Sequence, residues 1–145
     1  MTGMADESRV QIDDVRGNLG RQAFMQLLGA EATAIESGRV VIELAHRADL
    51  CQQNGFLHAG VITSIADSAC GYAALTMMPP GSDVLSVEFK VNLLAPARGE
   101  RFRATADVVR SGRTLTVVQA QVVAVTDGQP EKPVALMQAT MIRLP

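Results

Sequence analysis

Hydrophobic and polar residues alternate along most of this chain, and the alternation breaks only where small residues cluster. From Val84 to Leu94, Leu85, Val87, Phe89, Val91 and Leu93 share one parity, while Ser86, Glu88, Lys90 and Asn92 take the other. That period of two predicts a strand with one buried face. Pro96-Ala97-Arg98-Gly99 turns the chain, and Phe102, Ala104, Ala106 and Val108 repeat the pattern up to Ser111-Gly112. Thr114 to Val125 is a third such run, closed by Thr126-Asp127-Gly128-Gln129-Pro130, and Val134 to Leu144 is the last. Nearer the start, Ala30 to Glu36 and Arg39 to His46 flank Ser37-Gly38, with Val40, Ile42 and Leu44 on one face. Two short alternating runs around such a dipeptide predict a hairpin.

Two segments read as helix. Between residues 13 and 28, Val15, Leu19, Phe24, Leu27 and Leu28 recur at rough helical spacing, with Gly17 and Gly20 weakening the first half and Gly29 able to end it. Residues 1–12 are polar and expected to be loose. The central segment, His58 to Met77, is rich in Ala, Gly and Ser and stops at Pro79-Pro80-Gly81. Side chains this small let a sheet come close to the helix backbone, so packing must hold the helix together. The sum is one α+β domain over residues 13–145: a long antiparallel β-sheet wrapped around a central α-helix, plus an N-terminal helix.

With 145 residues the chain can bury one core, and with 3% aromatics, no Trp and one Tyr that core must be aliphatic. A net charge of -2 without clustered cations argues against nucleic acid as a partner. Cys51 and Cys70 are too few for a disulfide scaffold and wrongly spaced for zinc, so a reduced, cytoplasmic setting is expected. Met1 to Asp6 show no signal pattern, and no cluster at ligand spacing implies a metal. The run from Gly55 to Met78 has roughly the length of a membrane span. Asp67 at its centre would cost about 2.5–3.5 kcal/mol on insertion, and the flanks lack aromatic or basic anchors, so no membrane is expected.

Asp67 is the only formally charged residue between Asp49 and Asp83. A carboxylate in apolar surroundings loses hydration, which costs free energy unless a neighbour uses the charge, and which makes it a stronger base. The residues alone also allow a solvated helix Asp, because Thr63, Ser64, Cys70 and Gly71 form a small, polar face around it.

Asn54-Gly55-Phe56-Leu57-His58-Ala59-Gly60, followed by Ser64-Ile65-Ala66-Asp67-Ser68-Ala69, resembles the hotdog-fold acyl-CoA thioesterases of the phenylacetic-acid-degradation type. In that family an HGG tripeptide opens the central helix and an Asp or Glu follows about two turns later. The resemblance extends to Ser86-Val87-Glu88-Phe89-Lys90-Val91-Asn92 and to Val109-Arg110-Ser111-Gly112-Arg113-Thr114-Leu115. It implies that Asp67 is the catalytic carboxylate and that the Ala59 N–H is the oxyanion donor. It further implies that Gln52 orients the carbonyl or water, and that Ser86 lies near the reacting water. Asn54, His58 and Gly60 would frame the substrate, and Arg110, Gly112 and Arg113 would lie near the nucleotide of coenzyme A. Ala59 replaces the family's first glycine but keeps the backbone donor. The residues read alone favour a local role at the helix start for His58, a plain outward position for Ser86 and a solvated turn for the two arginines.

The implied activity is hydrolysis of an acyl-CoA thioester, with coenzyme A as part of the substrate and no separate cofactor. A non-catalytic acyl-CoA binding or sensor domain is the alternative, and a hydroxyacyl-thioester dehydratase a third. Ala59 and Asp67 are eight residues apart, about 12 Å along one helix. A carbonyl must lie about 3 Å from both donor and nucleophile. The scheme therefore needs Ala59 from one chain and Asp67 from another: a homo-oligomer, at least a dimer, with a tetramer expected.

Overall fold

The computed structural model describes residues 7–145. Its helices are α1 (Ile12–Gly20), α2 (Ala23–Leu28) and α3 (Ala59–Leu75). Its strands are β1 (Glu31–Glu36), β2 (Arg39–Ala45), β3 (Asp83–Leu93), β4 (Arg101–Ser111), β5 (Leu115–Val125) and β6 (Lys132–Leu144). The strands form one sheet in the order β1-β2-β4-β5-β6-β3, and every neighbouring pair is antiparallel. β2 lies beside one edge and β3 is the opposite edge, so the chain between them must cross the sheet. α3 makes that crossing, and the sheet curls around it. This is the hotdog arrangement that the sequence motif implied.

The core lies between α3 and the concave face of the sheet. Ala66, Ala69, Ala73 and Ala74 of α3 are fully buried, as are Val40, Ile42, Phe102, Ala104, Ala106, Val118 and Ala139 of the sheet. Ile62 and Ile65 add branched, buried bulk to the same core; each such side chain contributes about 1.5–3 kcal/mol on burial. Thr76 locks the far end of α3: its hydroxyl donates to Ala73 O at 2.6 Å and accepts from the Gly38 N–H at 2.8 Å. Gly38 has φ of 80°, the left-handed conformation that this hairpin turn requires.

The structure departs from the sequence reading in three places. The helix expected over residues 13–28 is two helices, broken at Arg21-Gln22; Gly29 ends the second with φ of 71°. Val15, Leu19 and Leu28 are buried as the spacing required, but Phe24 and Leu27 are exposed, because α2 turns its face after the break. The loose segment expected through residue 12 falls partly on residues 1–6, outside the described residues. Beyond them the Val10 N–H donates to Met78 O at 2.9 Å, and α1 begins at Ile12.

The third departure lies in β3. The ladder with β6 pairs Ser86 with Met141 and Glu88 with Thr140, leaving Val87 as an extra residue. Such a bulge shifts the parity of the strand. Ser86 therefore faces α3 together with Phe89, Val91 and Leu93, while Leu85 opposes Ile142 on the outer face. Strict alternation had put Ser86 outward and Leu85 inward.

Candidate active site

The loop before α3 is built to present the helix start. An isolated bridge between Cys51 and Leu57 closes it, and Gly55 turns with φ of 84°. Inside it the Gln52 side-chain oxygen accepts from the Asn54 N–H at 2.5 Å and the Phe56 N–H at 3.4 Å. Two backbone donors fix which way that carboxamide points. Its nitrogen then has no acceptor among the described residues.

His58 is the N-cap of α3: its Nδ1 accepts from the Gly60 N–H at 2.8 Å, so the ring proton sits on Nε2. A Cβ at Gly60 would lie 2.9 Å from that nitrogen, so the cap itself demands glycine there. The cap satisfies one of the orphan donors of the helix start. The Ala59 N–H has no acceptor among the described residues. It opens beside an apolar cavity of about 500 Å³ lined by Phe56, Leu57, Ile62, Leu93 and Leu94. Arg98 lies over the Phe56 ring at 5.0 Å and braces its rim.

Asp67 sits in the middle of α3, half-buried, at a second and smaller cavity of about 170 Å³. The Ser86 hydroxyl donates to its Oδ1 at 2.6 Å. The bulge at Val87 makes this contact possible, because it turns Ser86 to the helix side. At the same cavity, Ser68 donates to the Gln22 side-chain oxygen at 3.2 Å, and Tyr72 donates to Asn18 at 2.9 Å. Asn18, Gln22, Tyr72 and Asp83 thus wall the Asp67 cavity. The sequence reading missed all four; the signal available was the spacing of Asn18 and Gln22, one turn apart and both polar beside buried Leu19.

Burial, and next to it the Asp67 charge, push the Cys70 thiol up to about 12. Cys70 is therefore a packing residue. Burial likewise raises the Tyr72 hydroxyl, with Asp83 adding to the effect and Arg21 opposing it.

The structure brings Asp67 to Ser86, and it brings Gln52, Asn54, His58, Ala59 and Gly60 together at the helix start. It does not bring the two groups together within one chain. Arg110, Gly112 and Arg113 lie apart from both, exposed at the β4–β5 turn. Neither arginine is in an ion pair among the described residues. Gly112 is required there, since an added Cβ would lie 2.6 Å from Leu115 O. A larger concavity of about 940 Å³ covers the outer face of the sheet and shares no lining residue with the cavity at Asp67 or the one at the helix start. Its charges are largely matched, with Arg39 on Asp107 at 3.0 Å and Arg103 on Glu131. Among the described residues no group of His, Cys, Asp and Glu can hold a metal, and no helix is long and apolar enough to cross a membrane.

A helix start with a free backbone donor and a carboxylate held by a serine lie on a sheet wrapped around one helix, which is the hotdog architecture. The Thioesterase superfamily model matches residues 54–131, the stretch running from the Gln52 loop through α3 to β5 and its following turn. The chain belongs to that superfamily. The crystal structure of a thioesterase family protein from Silicibacter pomeroyi is 48% identical, covers 91% of this chain and 96% of that one, and superposes with a TM-score of 0.88. The 1,4-dihydroxy-2-naphthoyl-CoA hydrolase of Listeria monocytogenes is 27% identical over 99 residues, 68% of this chain and 80% of that one. The E. coli PaaI protein from the phenylacetic acid degradation operon shares the fold at a TM-score of 0.80, with 22% identity over 92% of both chains.

Proposed function

We propose that this protein hydrolyses an acyl-CoA thioester to the free acid and coenzyme A, as a hotdog thioesterase of the phenylacetic-acid-degradation type. The observation that carries the reading is the Asp67 carboxylate held at 2.6 Å by Ser86 on the floor of a cavity. The Ala59 N–H at the start of α3 polarises the carbonyl, with the positive end of the helix behind it. Asp67 then acts in one of two ways. It attacks the carbonyl carbon and expels the coenzyme A thiolate, leaving an anhydride that water opens; or it takes a proton from the water that attacks. Ser86 orients the carboxylate in either case. The Gln52 nitrogen orients the carbonyl or the water, with Asn54, His58 and Gly60 shaping the loop around it. Arg110 and Arg113, positioned by Gly112, meet the phosphates of coenzyme A. No separate cofactor takes part.

The two half-sites open into separate cavities on one helix, so the working site joins Ala59 of one chain to Asp67 of another. β3 supports this arrangement. It is an edge strand of 11 residues whose helix-side Phe89 and Leu93 are 42% and 56% exposed. An edge of that length is a template for pairing with a second copy. We assign a dimer as the minimum unit, a tetramer as the assembled form, and the cytoplasm as its setting.

The test is thiol release from aryl, short and long acyl-CoAs, by wild type and by Asp67→Asn. Release from at least one substrate, lost in the variant while the assembly keeps its size, is expected. Near-normal turnover by Asp67→Asn refutes the mechanism. Tight binding of acyl-CoA with no thiol release reassigns the chain as a binding module.

A further inference from the structure

Cys51 follows the short helical turn Ala48–Leu50 beyond β2, and it is partly exposed. Its sulfur lies 3.2 Å from His46 Nε2 and 3.4 Å from Arg47 O. His46 is held by its own backbone, whose N–H donates to Glu100 O at 2.9 Å, and its ring is exposed. The thiol hydrogen points to Arg47 O; with the ring proton on Nδ1, His46 Nε2 is a base that the S–H reaches by rotating about the Cβ–Sγ bond. The Arg47 guanidinium is engaged elsewhere, with Asp49 at 3.0 Å and Leu27 O at 3.2 Å, so it leaves the His46–Cys51 contact undisturbed. The other thiol is the opposite case: Cys70 is fully buried and its proton is held firmly.

We infer that Cys51 is a thiol modification site that takes a low-molecular-weight disulfide, with His46 as its base. His46 Nε2 accepts the Cys51 proton, and the thiolate attacks one sulfur of the disulfide RSSR. The S–S bond breaks and a Cys51–S–SR bond forms. The leaving thiolate RS⁻ takes the proton back from His46 and departs as RSH. Cys51 is oxidised and one half of the disulfide is reduced, so no further oxidant is needed. The adduct displaces the sulfur from Arg47 O, at the point where the Cys51–Leu57 bridge closes the loop leading to α3.

The test uses the full chain with glutathione disulfide, read by intact mass and peptide mapping, and needs no acyl-CoA. One glutathionyl group per chain, on Cys51, is expected, with none on Cys70 and reversal by a dithiol. His46→Gln is expected to slow the adduct roughly tenfold or more while elution volume and unfolding temperature stay those of wild type. Cys51→Ser is expected to form no adduct. Modification of Cys70 at a matching rate, no adduct on Cys51, or a His46→Gln rate equal to wild type in a folded protein each overturns the inference.

Discussion

Replacing Ala59 by proline removes one hydrogen-bond donor and leaves α3 its geometry. Proline is favoured at the first helical position, where its missing N–H was unpaired in any case. The residue before a proline must be extended, and His58 already has φ of -61° and ψ of 137°. Deleting a donor from a preset oxyanion hole costs about 3–4 kcal/mol, so Ala59→Pro should lose about a hundredfold to a thousandfold in turnover. Asp67→Asn should lose at least about a hundredfold. Neither variant alone tells one-chain from two-chain sites, but their mixture does. In a heterodimer, one site combines the intact Ala59 of the Asp67→Asn chain with the intact Asp67 of the Ala59→Pro chain, and the other site carries both defects. If equal amounts are unfolded together and refolded, about half of the dimers are mixed and half of their sites are whole. Activity per chain should then rise to about a quarter of wild type, well above either parent. The assay is thiol release on the refolded mixture, with native mass spectrometry confirming the mixed species. A mixture that contains heterodimers but has only the summed activity of its parents refutes the shared site.

Ser86→Ala should lower kcat about tenfold or more with KM little moved, because a charge-assisted hydrogen bond to Asp67 is lost while the substrate walls remain. Gly60→Ala should push His58 out of its capping position and cost about 1 kcal/mol, read as a fall in unfolding temperature of about 3 °C. Cys70 makes stability pH-dependent: its folded thiol ionises near 12 and its unfolded thiol near 9.0. The unfolded state therefore loses its proton first, and folding weakens as pH rises between those values. Urea unfolding at pH 10 should show wild type losing about 1 kcal/mol more than Cys70→Ala, relative to pH 8; parallel curves would show that burial does not hold the proton.

Much of this architecture was legible because it rests on short-range patterns. The period of two located β2, β4, β5 and β6, and the small-residue run with its proline stop located α3, since both reflect burial that one chain imposes on itself. The misplaced face of Ser86 has a different origin. A bulge adds one residue without changing composition, and Val87 is as good a strand former as its neighbours, so nothing local announces that the parity shifts. The break between α1 and α2 was hinted at by Gly20 but set by docking against α3, through Asn18 and Gln22. Those two residues escaped notice because their partners, Tyr72 and Ser68, are 54 and 46 residues away. The motif pointed to Asp67 and Ala59 and the resemblance named Ser86; the hydrogen bond from that hydroxyl to Asp67 is known only from the sheet register.

The alanines of α3 have a further consequence for what this protein can tolerate. A helix seated by long side chains can absorb a change by shifting a rotamer. One seated by Ala66, Ala69, Ala73 and Ala74 rests its backbone almost directly on the sheet and has no such slack. A single added methylene there would lift the whole rod, displacing Asp67 from Ser86 and the helix start from its loop together. The chain is thus brittle at its least conspicuous positions, and a search for activity-destroying substitutions should begin with those four alanines, none of which lines the cavity at Asp67 or the one at the helix start.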